Sequence, residues 1–209
     1  MAKQSRSIPV MRAVVDEVAH RLWVVDESVI RIPDICEATG VNYGSVYHHF
    51  GSRENVIDAA YDQMFSELVQ RDIDDLALAS RESLDMEEFL ERVRPLIAML
   101  SAGPDRQRGR AMRTRIVAAA LTRPGLARLI GATESRLTAE LSLVITVGQD
   151  RGFLRKDVSA GSLAVLLQAI VFGRILDDVT DSPIEQGDWD YTIATLFMSL
   201  VNRAETLGG

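Results

Sequence analysis

The run Tyr43-Gly44-Ser45-Val46-Tyr47-His48-His49-Phe50, followed by Gly51-Ser52-Arg53, gathers side chains suited to hydrogen bonding with a polyanion. Two phenols, two hydroxyls, two imidazoles and a guanidinium can bond phosphate oxygens and the edges of DNA bases. Placed on a helix turning about 100° per residue, Val46 and Phe50 share one side and form the expected buried face. Gly44, Ser45 and His48 point away, and the absent side chain at Gly44 lets another backbone come close. Catalysis is a poor fit to the same residues. His48 and His49 diverge by about 100° on a helix, an unsuitable geometry for chelating one metal, and the remaining histidine, His20, completes no HExxH arrangement. No G-x-S-x-G elbow, Walker loop or dinucleotide fingerprint occurs either, so no catalytic residue, metal or cofactor is expected.

The elements that would position these groups are marked by local signals. Pro33 stands where a first helical turn tolerates proline, Ile35, Cys36 and Thr39 share a face, and Gly40 ends a helix expected over about 32–39. Asn42 can accept from the free N–H groups of a second helix, about 43–50, and Gly51-Ser52 stops that helix and caps the next. This is a helix-turn-helix spacing, although an ordinary helical hairpin would show the same periodicity. Before it, Val14, Val15, Val18, Ala19, Leu22, Trp23 and Val25 predict an amphipathic helix over about 10–25 that completes a three-helix head.

The segment GVNYGSVYHHFGSRENVIDAAYDQMF, residues 40–65, closely resembles the end of the DNA-binding domain in the TetR/AcrR family of transcriptional regulators. Gly40, Val41, Asn42, Ser45, Val46, Tyr47, His49, Phe50, Ser52, Arg53 and Glu54 occupy the family's pattern positions, and the strong match covers roughly residues 30–65. The chain departs from the pattern in DESVIRIPD, which lacks the usual glycine and threonine before the second helix and has Pro33 where some relatives carry a base-contacting side chain. What the resemblance implies is an all-α homodimer whose reading helices enter the major groove of double-stranded operator DNA. Tyr43, Gly44, Ser45 and His48 would then face the groove, Tyr47, His49 and Arg53 would hold the phosphate backbone, and Arg31 would supply a contact in place of the missing hydroxyl. The implied mechanism is repression relieved by a small-molecule effector. An activator, or a regulator answering to a protein partner, is the nearest alternative, and a helical enzyme with a structural hairpin is the rival from another class.

The 209 residues suffice for one or two domains with a sizeable core, and a 47% hydrophobic share with moderate charge places the chain among globular proteins. Residues 1–53 hold six Lys/Arg against six Asp/Glu, so the net charge of −7 lies entirely in residues 54–209. A neutral head can bind DNA through locally placed donors and helix N-termini, with weak non-specific affinity expected. Lys3, Arg6 and Arg12 are a candidate phosphate-seeking arm or simply a solvated terminus. Cys36 is the sole cysteine and reads as a small buried residue. Neither a membrane-spanning run nor a signal peptide is expected, which points to the cytoplasm.

Residues 54–209 are expected to form a larger helical effector-binding and dimerisation domain, with 53–78 as the linking helix. The helices expected at about 86–100, 106–121 and 124–151 carry candidate pocket residues Phe89, Val93, Leu96, Met112, Ile116, Leu137 and Leu141. Arg113 and Arg115 border them, so a mostly apolar effector with an acidic group is one expectation and surface arginines the other. Helices at about 159–178 and 188–204 are expected to pair with those of a second copy through Leu163, Leu167, Ile170, Ile193, Phe197 and Leu200.

Overall fold

The computed structural model describes residues 2–79, 85–99 and 104–202, with side chains for all of these except 2–8, 71, 75–79, 95–99 and 104–105. Its helices are α1 (Ala2–Leu22), a 3-10 turn at Glu27–Val29, α2 (Ile32–Thr39), α3 (Tyr43–Phe50), α4 (Arg53–Ala79) and α5 (Met86–Met99). They continue with α6 (Pro104–Ala120), α7 (Pro124–Asp150), α8 (Ala160–Gly173), α9 (Ile175–Asp178) and α10 (Gln186–Met198). Among the described residues regular structure is helical, apart from an antiparallel bridge between Leu154 and Val201. The fold is therefore all-α, with a helix-turn-helix near its N-terminus.

Two compact units divide the chain. The first takes Met1–Glu67 and Arg115–Gly131, the second Leu68–Thr114 and Ala132–Gly209. By contact, the first unit extends beyond the sequence boundary at residue 53 and gains the end of α6 and the start of α7.

Within the first unit, α1 buries Val14, Val18 and Leu22 at four-residue spacing, and α1, α2 and α3 pack on one another. Helix α1 begins well before the expected residue 10 and ends at Leu22, where Val24 and Val25 donate to the Arg21 carbonyl and turn the chain. The start of α4 buries Val56, Ile57, Ala60, Tyr61, Met64 and Phe65. Each large apolar side chain removed from water in this way contributes roughly 1.5–3 kcal/mol before conformational entropy is charged against it.

In the second unit, Asp85 caps α5 by accepting from the Glu88 N–H at 2.8 Å, and α5 buries Phe89 and Val93. Helix α7 passes Phe89 at Gly148, where a Cβ would come within 2.6 Å of the Phe89 ring and 2.9 Å of Leu154. The expected single helix over 159–178 is instead two, α8 and α9, meeting at Arg174. The Arg174 guanidinium is buried 4.3 Å from the centre of the Trp189 ring and 3.1 Å from Asp177. The last helix ends at Met198, and the chain then runs through the bridge, with Arg155 N–H donating to Leu200 O at 3.0 Å. The sequence expectations at residues 80–84, 100–103 and 203–204 lie outside the described residues.

One expectation needs correcting. The segment Ala160–Asp178 is, by length and composition, apolar enough to cross a membrane. The core helix of a soluble protein passes the same test. Its charged end is tied down by Arg110, which makes a bidentate pair with Asp178 at 2.8 and 2.6 Å while both side chains are almost wholly buried. Removing one partner leaves the other charge buried and uncompensated. Asp178→Ala is therefore expected to destabilise the second unit by about 3–5 kcal/mol. Urea unfolding monitored by circular dichroism checks this, and an unchanged midpoint would show that the pair holds nothing.

Candidate nucleic-acid interface

Helix α3 is presented by its two ends and one buried anchor. Gly40 adopts φ 69°, the left-handed conformation that closes α2 without a Cβ clash. Asn42 then accepts from the Gly44 N–H at 2.8 Å through its side chain and caps α3. At the far end, Gly51 at φ 80° donates its N–H to Tyr47 O at 2.9 Å, and Asn55 donates to Phe50 O at 2.6 Å. Val46 is fully buried and pins the helix to the head, while Phe50 is only half-buried and carries His49 edge-on at 4.7 Å.

Opposite Val46, Tyr43, Gly44, Ser45, His48 and His49 are exposed, and Tyr47 is half-buried. Tyr43, 50% exposed, lies 4.6 Å from Tyr47 between ring centres. Hydrogen bonding with Tyr43 raises the Tyr47 hydroxyl above its ordinary pKa, with smaller contributions from burial and the fields of Tyr43 and Glu54. Two neutral phenols thus stand together at the start of a helix whose N-terminal N–H groups are polarised toward an anion. Burial pushes the Cys36 thiol up, in keeping with an inert packing residue.

The chain between α1 and α2, which departs from the resemblance, is held from outside itself. Asp26 caps the 3-10 turn by accepting from the Ser28 N–H at 2.9 Å. Arg53 donates to Ile30 O at 2.8 Å and to Glu27 O. Arg115 donates to Leu22 O and Val25 O, both at 3.1 Å, and its guanidinium lies 5.9 Å from the centre of the Tyr61 ring. Arg123 pairs with Asp58 at 3.0 Å and with Glu27. Burial raises the Tyr61 phenol to about 12 against the lowering charge of Arg115, so Tyr61 stays neutral. Arg53 and Arg115 thereby satisfy carbonyls of this connection, and Arg123 holds the Glu27 side chain.

The residues expected at the sites fall in different places. Arg31 is exposed and makes no side-chain cap at α2. Arg53, expected on the phosphate backbone, has its Nε and one terminal nitrogen on carbonyls of the α1–α2 connection. Arg115, expected in the effector pocket, sits in the first unit, whereas Phe89, Val93, Met112, Arg113, Leu137 and Leu141 lie in the second and Ile116 in the first. Of these pocket candidates Leu141, Arg113 and Arg115 are part-exposed and the others buried; the side chain of Leu96 lies outside the described residues, as do those of Lys3 and Arg6. Sequence reasoning gave no role to Glu27, Asp58 and Arg123. The missing glycine and threonine were the only signal that this connection needed other support.

With this geometry in view, comparisons with known proteins show what the chain is similar to. Residues 30–60 match the family model for bacterial regulatory proteins of the tetR family. No curated protein matches the chain in sequence. The fold is similar to a TetR transcription regulator from Haloarcula marismortui, at 17% identity and a TM-score of 0.69, with 92% of this chain and 98% of that one covered. A TetR-family regulator from Cytophaga hutchinsonii is similar at 20% identity and a TM-score of 0.68, covering 94% and 96% of the two chains. A Saccharomonospora viridis protein described as a transcriptional regulator, and solved with choline, matches at 18% identity and a TM-score of 0.68, covering 92% and 98%. Residues 30–60 thus match the tetR-family model, and over the whole chain the likeness to these solved structures is one of fold.

Two substitutions separate presentation of the helix from reading by it. Arg53→Ala removes charged bonds to two carbonyls and is expected to lower stability by about 1–2 kcal/mol, below the full range for such bonds because the side chain is partly exposed. It should weaken every DNA sequence about equally. Tyr43→Ala should leave stability unchanged and shift sequence preference, a base-edge contact being worth about 1–3 kcal/mol. Binding isotherms on a selected duplex and on its single-base variants decide between them, and a Tyr43→Ala profile superimposable on the parent's removes Tyr43 from the readout.

Proposed function

We propose that the protein is a homodimeric repressor, acting in the cytoplasm, that a small molecule of mostly apolar character releases from its operator. The observation that carries the reading is α3, with one buried anchor at Val46 and an exposed face of Tyr43, Gly44, Ser45 and His48. A helix pinned from behind, with small and hydrogen-bonding groups in front, suits the major groove. Tyr47 and His49 flank that face and take the phosphates. The Saccharomonospora viridis protein, of the same fold and solved with choline, supports a small-molecule effector.

Dimerisation rests on the last helices. Leu163 and Ile193, expected at the interface, are buried within the subunit, and Leu167, Ile170, Phe197 and Leu200 are half-buried. The outward stripe of α8 is instead Ser162, Val165, Leu166, Ala169 and Gly173, continued by Leu176 of α9, and that of α10 is Tyr191, Ala194, Thr195 and Met198. Leu166 is 55% exposed and Tyr191 75%. A soluble monomer rarely leaves so continuous an apolar face in water. Two copies packed as a four-helix bundle would cover it, and Ala169 and Gly173 would permit close approach.

Two measurements test the reading. The parent should bind a duplex selected from a random pool with an affinity that falls with salt, and it should sediment as a dimer at micromolar concentration. Leu166→Glu, which alters an exposed position, should yield a folded monomer with operator affinity at least about tenfold lower through loss of the paired half-site. A parent that sediments as a monomer would sink the dimer, and one that selects no sequence would sink the regulator.

A further inference from the structure

We infer that the effector carries a positive charge on an otherwise apolar body, and that Glu134 receives that charge. The inference rests on the effector-released regulator proposed above and adds the chemistry of its ligand. It concerns three ionisable side chains from three helices of the second unit: Asp72 on α4, Arg113 on α6 and Glu134 on α7.

Arg113 stands 2.9 Å from Asp72, with 11% and 18% of the two side chains exposed. That contact is an ion pair without hydrogen-bond geometry, since Nε and the same terminal nitrogen of Arg113 are buried and lack a hydrogen-bond partner. Oε1 of Glu134 is likewise buried and lacks one. Burial raises the Glu134 carboxyl above its ordinary range, Arg113 opposes the rise and Asp72 adds to it. The three groups therefore share one electrostatic neighbourhood, although Glu134 makes no ion pair with the guanidinium.

The balance of charge selects the ligand. One guanidinium faces two carboxylates, so the cluster carries an excess negative charge when all three groups are ionised. An acid, the sequence expectation, would have to compete with Asp72 for Arg113 while being repelled by Glu134. Arg115, the second guanidinium counted toward an acid, sits in the first unit and bonds to backbone carbonyls there. A cation meets the opposite situation, because a buried carboxylate oxygen without a partner is costly and an ammonium group supplies both the charge and the hydrogen-bond donor it lacks. Native interiors leave few such groups unpaired, which makes Glu134 a candidate for a ligand contact. An apolar body is consistent with the surroundings in sequence. Leu137, one turn from Glu134 on the same face of α7, is buried, as is Met112 beside Arg113.

The test uses the full chain on a duplex selected by the parent and four probes sharing one tail: octylammonium, octyltrimethylammonium, octanol and octanoate. Fluorescence anisotropy follows release of the duplex, and thermal unfolding of the DNA-free protein follows binding directly. The two cations are expected to release DNA and raise the melting temperature at lower concentrations than octanol, with octanoate weakest. Glu134→Gln keeps the shape and removes the charge, and it should raise the concentration of octylammonium needed by about tenfold or more. Glu87→Gln, at an exposed position on α5, should respond like the parent. Octanoate acting as well as the cations overturns the inference, as does Glu134→Gln responding like the parent. A parent that binds its duplex and answers none of the probes overturns it too. A parent that selects no duplex instead overturns the regulator reading, which separates the two failures.

Discussion

The presentation of α3 depends on how the chain between α1 and α2 is held. That connection has little regular structure of its own beyond the 3-10 turn at Glu27–Val29, and its carbonyls would be left to solvent without help. Arg53, from the start of α4, and Arg115, from α6, bond these carbonyls, while Arg123, from the turn before α7, holds the Glu27 side chain. A guanidinium has five donors in a rigid fork, so one side chain can bond two carbonyls, as Arg115 does with Leu22 and Val25. Ile30 and Ile32, both buried, then seat the beginning of α2, and the Gly40 turn delivers α3.

The consequence for recognition is a division of labour among arginines. A neutral head with few positive side chains would ordinarily place them on phosphates, yet Arg53 bonds backbone within its own unit. The groups left exposed on α3 are the Tyr43 phenol, the Ser45 hydroxyl and two imidazoles, beside the N-terminal N–H groups of the helix. Such a surface favours short-range hydrogen bonding over long-range attraction, because neutral donors lose little of their strength to salt screening.

In the second unit, charged groups mark places where helices end or meet. Arg110 with Asp178, and Arg174 with Asp177 and Trp189, hold α9 and the break after α8. Buried ion pairs of this kind tend to specify an arrangement more than they add net stability. Arg174 also keeps buried nitrogens without hydrogen-bond partners, but those of Glu134 and Arg113 lie within helices, away from any helix end. That contrast separates a structural cluster from one available to a ligand.

The sequence by itself determined what depends on neighbours within a turn of helix. Pro33, Gly40, Asn42 and Gly51 act on the backbone a few residues away, and each is found ending or starting a helix or turning the chain. The same local pattern carried the resemblance of residues 40–65, and with it the class of protein. Tertiary structure alone decided the pairings and the faces. Arg123 meets Asp58 and Glu27, and Arg115 meets Leu22, across separations of 65, 96 and 93 residues, which no periodicity encodes. Helix α8 is apolar nearly all round, so its hydrophobic pattern could not say that Leu163 faces inward and Leu166 outward; packing against the rest of the subunit settles that. Arg113 and Arg115 are two residues apart on one helix and looked equivalent as a sequence, but two residues turn a helix by about 200° and send them to different neighbours.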